Sequence, residues 1–147
     1  EGVLRQSIWY PYAWALEHAK GRVLDLLVES DTYPIRADGL RTDFARDDDV
    51  PYLDVAVTLD RDNGEAAVFV LNRDLENERE LELDWKNLAP ESVAACLTLT
   101  GDDLKAFNTF DAPRRVAPQE LDAPKPGRSM TLKLPAASYT VLSLKLG

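Results

Sequence analysis

Histidine and cysteine, the side chains most often used for metal binding and nucleophilic catalysis, are almost missing. The 147 residues hold one of each, His18 and Cys96. No CxxC or HxxxH spacing exists, so no zinc site is expected and no metal ligand is assigned; calcium on oxygen ligands gathered from separate loops stays open. Cys96 has no partner for an internal disulfide and lies in the apolar run SVAACLTLT, which predicts a buried, inert thiol. A Ser-His-Asp or Cys-His constellation would have to carry His18 to Cys96 or to a distant Ser. Standing alone late in a helix, His18 reads instead as a surface or interface residue favoured by the helix dipole. Neither GxxxxGK[ST] nor GxGxxG occurs, so no phosphate loop and no cofactor are expected. Positive charge is also short. With 17 basic against 26 acidic residues the net charge is −9, which repels phosphate backbones and anionic lipid alike. Neither nucleic acid nor membrane is an expected partner, and no window of 18 apolar residues could span a bilayer. The start, EGVLRQSIWYPY, lacks both an initiator Met and a basic-then-apolar signal pattern. The chain is therefore expected to be a fragment, with any targeting signal upstream. The single cysteine fits a reducing compartment, and a cytoplasmic location is expected.

What remains is an ordinary apolar content of 45%, enough for one domain with a core. Residues 7–20, SIWYPYAWALEHAK, carry apolar side chains at Ile8, Trp9, Tyr12, Ala15, Leu16 and Ala19, the spacing of a helix. Ser7 is the expected N-cap, Pro11 would fall near the first turn, and Gly21 would stop the helix. Trp9, Tyr10, Tyr12 and Trp14 make this helix unusually aromatic, a surface that needs something large to pack on. After Gly21 the period becomes two. Strands are predicted at RVLDLLV, YLDVAVTLD, EAAVFVLN, RELELDW, SVAACLTLT, SMTLKLP and SYTVLSLKL. Leu53, Val55, Val57 and Leu59 share one face of the second, and Leu81, Leu83 and Trp85 face inward from the fourth. SVAACLTLT reads as a strand buried on both faces. Residues 29–51 are polar and turn-rich. There is no βαβ alternation and no internal repeat. The expected fold is mainly β, an antiparallel jelly-roll-like sandwich preceded by one helix.

Chemistry is hard to place on this frame. Asp47, Asp48 and Asp49 could attract a cation. Asp60, Asp62, Asn63 and Gly64 resemble a calcium loop, but Gly64 falls at the fifth position from Asp60 and Leu71 stands at the twelfth, where a Glu is required. A hairpin turn explains the segment better. Glycosidases use paired carboxylates, one raised in pKa by an apolar pocket. Most acids here lie in turns or alternate outward, as Glu80, Glu82 and Asp84 do.

Taken in order, the segments resemble one family. RQSIWYPYAWALEHAKG is similar to a stretch near the end of the catalytic barrel in glycoside hydrolase family 51 α-L-arabinofuranosidases. VPYLDVAVTLDRDNGEAAVFVLNRDLENERELELD resembles the first hairpin of their C-terminal domain, with Asn72-Arg73 at the matching strand end. LKAFNTFDAPRRVAP resembles a loop of the same domain through Asn108, Thr109, Phe110, Asp111, Pro113, Val116 and Pro118. LPAASYTVLSLKL matches its closing strand. The resemblance implies a parent with a (β/α)₈ barrel carrying two Glu residues, acid/base and nucleophile of a retaining mechanism, both upstream of residue 1. No catalytic or substrate-binding residue is therefore assigned in this chain. Residues 1–21 would be a remnant of the last barrel helix and 22–147 the sandwich. A strand from before the barrel would join that sandwich, leaving an unpaired edge here.

The resemblance makes the chain a non-catalytic accessory domain of an enzyme that releases terminal arabinofuranosyl residues. Its partner would be its own barrel, packed on a helix face of Trp9, Tyr12 and Leu16 or with that face on the sandwich. The isolated fragment would form a homo-oligomer through the uncovered aromatic surface. The alternative is an autonomous carbohydrate-binding sandwich using Tyr33, Phe44, Phe107 and Phe110. In the loop 104–118, Phe107 and Phe110 are expected to turn inward and plug the sandwich. Asn108 and Thr109 would satisfy the turn's backbone, Arg114 or Arg115 would neutralise Asp111, and Pro113 and Pro118 would prevent further strand pairing.

Overall fold

A computed structural model of the chain describes residues 2–35 and 48–147. Helix α1 (Trp9–His18) comes first. It is followed among the described residues by ten strands: β1 (Arg22–Val23), β2 (Thr32–Ile35), β3 (Asp48–Pro51), β4 (Leu53–Asp60), β5 (Glu65–Asn72), β6 (Arg79–Asp84), β7 (Pro90–Leu99), β8 (Gln119–Glu120), β9 (Ser129–Leu134) and β10 (Ser138–Leu146). They form a six-stranded sheet in the order β1-β4-β5-β10-β7-β8, a facing pair β6-β9, and a small ribbon β2-β3. Every pairing is antiparallel. The antiparallel, mainly β architecture expected from the period-two runs is what forms.

Alternation explains how the large sheet is filled. Even-numbered residues of the two central strands point inward: Ala66, Val68 and Val70 from β5, Leu142 and Leu144 from β10. They meet Leu81 and Trp85 of the β6 segment and Met130, Leu132 and Leu134 of β9. Leu53, Val57 and Leu59 of β4 and Cys96 of β7 complete this core. Thr98 and Thr140 sit opposite each other in it, and their hydroxyls bond at 2.8 Å, so the buried pair is satisfied. Odd-numbered residues Ala67, Phe69 and Val141 point to the other face, where Tyr10 and Trp14 of α1 cover them. β5 and β10 carry apolar side chains toward both faces, inward against β6 and β9 and outward beneath α1.

The local chemistry corrects several expectations. Ser7 is not an N-cap. Ile8 holds that position without a side-chain cap, and the helix opens on tight backbone turns, Trp9 N–H to Gln6 C=O and Tyr10 N–H to Ser7 C=O. Pro11 does fall in the first turn, where no intrahelical donor is needed. The Lys20 ammonium caps the last turn by donating to Leu16 C=O at 2.6 Å. Gly21 follows with φ +72°, and a Cβ there would lie 2.1 Å from the Leu59 carbonyl oxygen, so only glycine lets the chain cross β4 so closely. RVLDLLV contributes only two ladder residues; Leu24 and Leu26 then pack on the core while Leu27 stays exposed. β7 is not buried on both faces throughout, since Ser92 and Ala94 are exposed. A ten-residue helix is about 15 Å long, half the length of a ten-residue strand, and covers only the Leu97–Leu99 end.

Candidate functional site

The loop after β7 is built around one buried side chain. Asn108 is 1% exposed and uses its whole amide. Its Nδ2 donates to Arg5 C=O at 2.7 Å and to Val116 C=O at 2.8 Å, while its Oδ1 accepts from Val116 N–H at 2.7 Å. Gln6 grips the same residue's backbone, donating from Nε2 to Asn108 C=O at 2.8 Å and accepting Asn108 N–H at 3.1 Å. The loop is thus stapled to the segment that leads into α1. Phe107 and Phe110 do not plug the sandwich; both are largely exposed. With Asn108 turned inward, its neighbour Phe107 is turned out. Arg115 pairs with Asp103 at 3.3 Å rather than with Asp111. Pro118 directly precedes β8, whose two residues pair with Leu97 and Thr98 and end the sheet.

Among the described residues, two of the surface clefts stand out. One, of about 400 Å³, lies between the N-terminal segment, α1 and this loop. Val3, Arg5, Trp9, Trp14 and Arg114 line it, with the Arg5 guanidinium 4.3 Å from the Trp9 ring centroid. The other, of about 700 Å³, is lined by Tyr33, Tyr52, Arg73, Asp74, Asn77 and Leu104 among others. There the Tyr33 and Tyr52 rings meet at 4.9 Å, and the Arg79 guanidinium sits 4.0 Å from the Tyr52 ring centroid. Asp74 is the buried carboxylate of this cleft. Its oxygens accept from Glu76 N–H, Arg79, and both the backbone and side chain of Asn77. Led by the Glu76 N–H bond, these donors hold its pKa at about 2 against the opposing pull of burial. Such a carboxylate stays ionised at working pH and is a poor general acid. Asn72 completes the cluster, donating to Pro135 C=O at 2.8 Å and accepting from Asp74 N–H at 3.0 Å. These groups satisfy one another and fix the β5–β6 connection.

The other residues singled out by the sequence are dispersed. Asp60 closes the β4–β5 turn by accepting from Asp62 N–H, Asn63 N–H and the Asn63 amide, which lowers its pKa, the Asn63 side chain contributing most. The segment is the hairpin turn expected of it, with Gly64 at φ +63°. Cys96 faces the inner core, and burial, followed by the nearby Asp122 charge, pushes its thiol up to about 11. α1, which carries His18, packs on the opposite face of that sheet, so the two side chains cannot meet. Glu80, Glu82 and Asp84 are exposed as expected. Among the described residues no group of three His, Cys, Asp or Glu gathers to hold a metal. Asp47 and Phe44 lie outside the described residues. Tyr33 lines the larger cleft, which neither Phe107 nor Phe110 reaches. Asp74 gave no sequence signal, because its importance comes entirely from donors folded around it.

The helix itself supplies the most distinctive surface. Tyr10 and Trp14 are the residues packed on the sheet, Trp14 stacking on Tyr139 at 6.0 Å and 9°. The predicted contact face is therefore not the one on the sandwich: Tyr12 and Leu16 are 68% and 78% exposed, Ile8 67% and Trp9 43%. Ile8, Tyr12 and Leu16 recur every fourth residue and form one stripe on the side of the helix away from Tyr10 and Trp14.

Comparison with known proteins matches residues 1–138 to the family model described as the alpha-L-arabinofuranosidase C-terminal domain. The chain is similar to an intracellular exo-alpha-(1->5)-L-arabinofuranosidase of Bifidobacterium longum, 31% identical over 142 residues, covering 92% of the chain and 24% of the relative. It is 27% identical over 141 residues to intracellular exo-alpha-(1->5)-L-arabinofuranosidase 1 of Bacillus subtilis (strain 168), covering 96% of the chain and 26% of the relative. The chain thus spans about a quarter of the length of these curated relatives. Among solved structures, a family 51 alpha-L-arabinofuranosidase from Bifidobacterium longum superposes with a TM-score of 0.80 at 29% identity, over 96% of this chain and 26% of that one. The thermostable enzyme from Thermotoga petrophila RKU-1 shares the fold, with a TM-score of 0.80 at 21% identity over 99% of this chain and 30% of that one.

Proposed function

The chain belongs to the family of α-L-arabinofuranosidase C-terminal domains, and we propose on that basis that it is the accessory β-sandwich of such an enzyme and performs no hydrolysis alone. The observation that carries this reading is the family match over residues 1–138; among the described residues, the carboxylates with a lowered pKa have structural roles. Asp74 and Asp60 are both held below the usual carboxylate range, opposite to what a glycosidase acid requires. The two catalytic Glu residues and their barrel would lie upstream, with residues 1–21 as the remnant of the last barrel helix and 22–147 as the sandwich. The parent would release terminal arabinofuranosyl residues with retention of configuration. A cytoplasmic location accords with the word intracellular in both relatives' names.

An additional strand from upstream would complete the small sheet. β6 and β9 stand as a two-stranded pair facing six strands, and two-stranded sheets are marginal alone. The buried Trp85 indole N–H next to β6 has no acceptor among the described residues. Neither Phe107 nor Phe110 joins Tyr33 in lining the larger cleft, which favours the accessory role over a sugar platform. Taken alone, the chain would self-associate through its exposed helix stripe. The test is to assay residues 1–147 and the full-length protein on an aryl α-L-arabinofuranoside. Turnover is expected only from the full-length protein; clear turnover by residues 1–147 would overturn the reading.

A further inference from the structure

Among the described residues, no side chain of β2 or β3 enters either apolar cluster. The two strands pair only with each other, and a two-stranded ribbon is marginal by itself. Its hold on the sandwich is polar instead. Arg73 N–H donates to Tyr52 C=O at 2.8 Å, the Arg73 guanidinium to Pro51 C=O at 3.1 Å, and Leu53 N–H to the Ser30 hydroxyl at 3.2 Å. Arg79 adds a further grip. Its backbone is fixed in β6, opposite Leu134 of β9. Its Nε and Nη2 both reach Asp74 Oδ2, at 3.0 and 2.8 Å. Its Nη1 reaches Asp31 Oδ2 at 3.0 Å, and the guanidinium sits 4.0 Å from the Tyr52 ring centroid. One planar group thus holds the sandwich on one side and the base of the ribbon on the other.

The two halves of this grip differ. The Asp74 carboxylate is 6% exposed and also accepts from the Glu76 and Asn77 backbone N–H groups, whereas the Asp31 carboxylate is 81% exposed. A buried, multiply bonded carboxylate keeps its partner, while an exposed ion pair is weak and is screened by salt. The Tyr33 ring of β2 packs on Tyr52 at 4.9 Å, and both rings line the larger cleft. We propose that the β2–β3 ribbon is a hinged wall of that cleft, latched by Arg79. The guanidinium stays on Asp74 while Asp31 and the Tyr52 ring engage and release it. The ribbon then opens from its base without unfolding the sandwich, because none of the apolar core has to separate.

Hydrogen exchange read by mass spectrometry on the full-length protein tests this. Asp31→Asn removes the exposed half of the latch and leaves the Asp74 half in place. Arg79→Lys keeps the charge but loses the planar fork and its stacking on Tyr52. Peptides covering 30–35 and 48–52 are expected to exchange at least about threefold faster in Asp31→Asn and about tenfold faster in Arg79→Lys, while β5 and β10 keep their protection in both. Raising salt from about 0.05 M to about 1 M should speed ribbon exchange in the unsubstituted protein and leave Asp31→Asn unchanged. Ribbon exchange that neither substitution alters would overturn the latch. Equal acceleration of β5 and β10 would also overturn the proposal, since the ribbon would then open only with the whole sandwich. So would ribbon amides that exchange at the unprotected rate before any substitution, because there would be no closed state to latch.

Discussion

The two faces of the six-stranded sheet are closed in different ways. The inner face is aliphatic and is covered by β6, β9 and short flanking segments, burying Leu132, Leu134, Leu142 and Leu144 almost completely. The outer face is aromatic, is covered by one ten-residue helix, and passes an apolar stripe on to the far side of that helix. The inner face is a finished core. The outer face leaves apolar side chains exposed on its cover, and the helix there is held by hydrogen bonds from a loop as well as by packing. Substitutions should therefore act on the whole fold from the inside and act locally from the outside.

The largest effect is expected from Leu142→Ala, which hollows the finished core and should cost about 2–5 kcal/mol with an unchanged dependence on denaturant. If urea unfolding showed a cost below about 1 kcal/mol, the inner face would be less tightly filled than its burial implies. Asn108→Ala comes next. It leaves the Arg5 carbonyl and both backbone groups of Val116 unpartnered, which should cost about 1–3 kcal/mol. Hydrogen exchange should accelerate in the 104–118 loop and at the start of α1, while β5 and β10 keep their protection. Acceleration across β5 and β10 would mean the two faces are not separable.

Acid separates them in another way. Asp74 stabilises the connection between β5 and β6, and its folded pKa of about 2 lies below that of an unfolded carboxylate, about 3.9. Between those values the unfolded chain binds the extra proton, so this contribution is complete above pH of about 4 and is lost as the pH falls toward about 2. Asp74→Asn should flatten the acid limb of a stability–pH curve in that window, and an unchanged limb would remove Asp74 as its source. The smallest effect is expected from Leu16→Ser, within about 0.5 kcal/mol for residues 1–147 because the side chain is already exposed. A larger loss in the full-length protein would locate the missing contact.

The strands were legible wherever burial follows a strict period of two. Leu81, Leu83 and Trp85, and Met130, Leu132 and Leu134, face the core as their alternation requires. All seven expected strands form at least in part. β2, β3 and β8 left no such trace, because two to four residues of backbone pairing need no apolar pattern. The helix was legible from its spacing, yet the face it turns to the sheet was not. Trp9, Tyr12 and Leu16 have the right chemistry, but Tyr10 and Trp14 are the residues that the stapled entry points at Phe69, Val141 and Tyr139. In the loop, Asn108 and the two phenylalanines exchanged roles: the amide went in because buried backbone groups of Arg5 and Val116 needed it, and the rings went out.

By itself the sequence determined the class of fold, the inner core and the family, because alternation and motif order are properties of the chain alone. Tertiary structure decided which side of the helix is buried, which polar side chains are locked inside, and which apolar surface is left exposed. Those choices depend on where distant segments such as residues 5–6 and 108–116 meet, and no local pattern encodes that meeting.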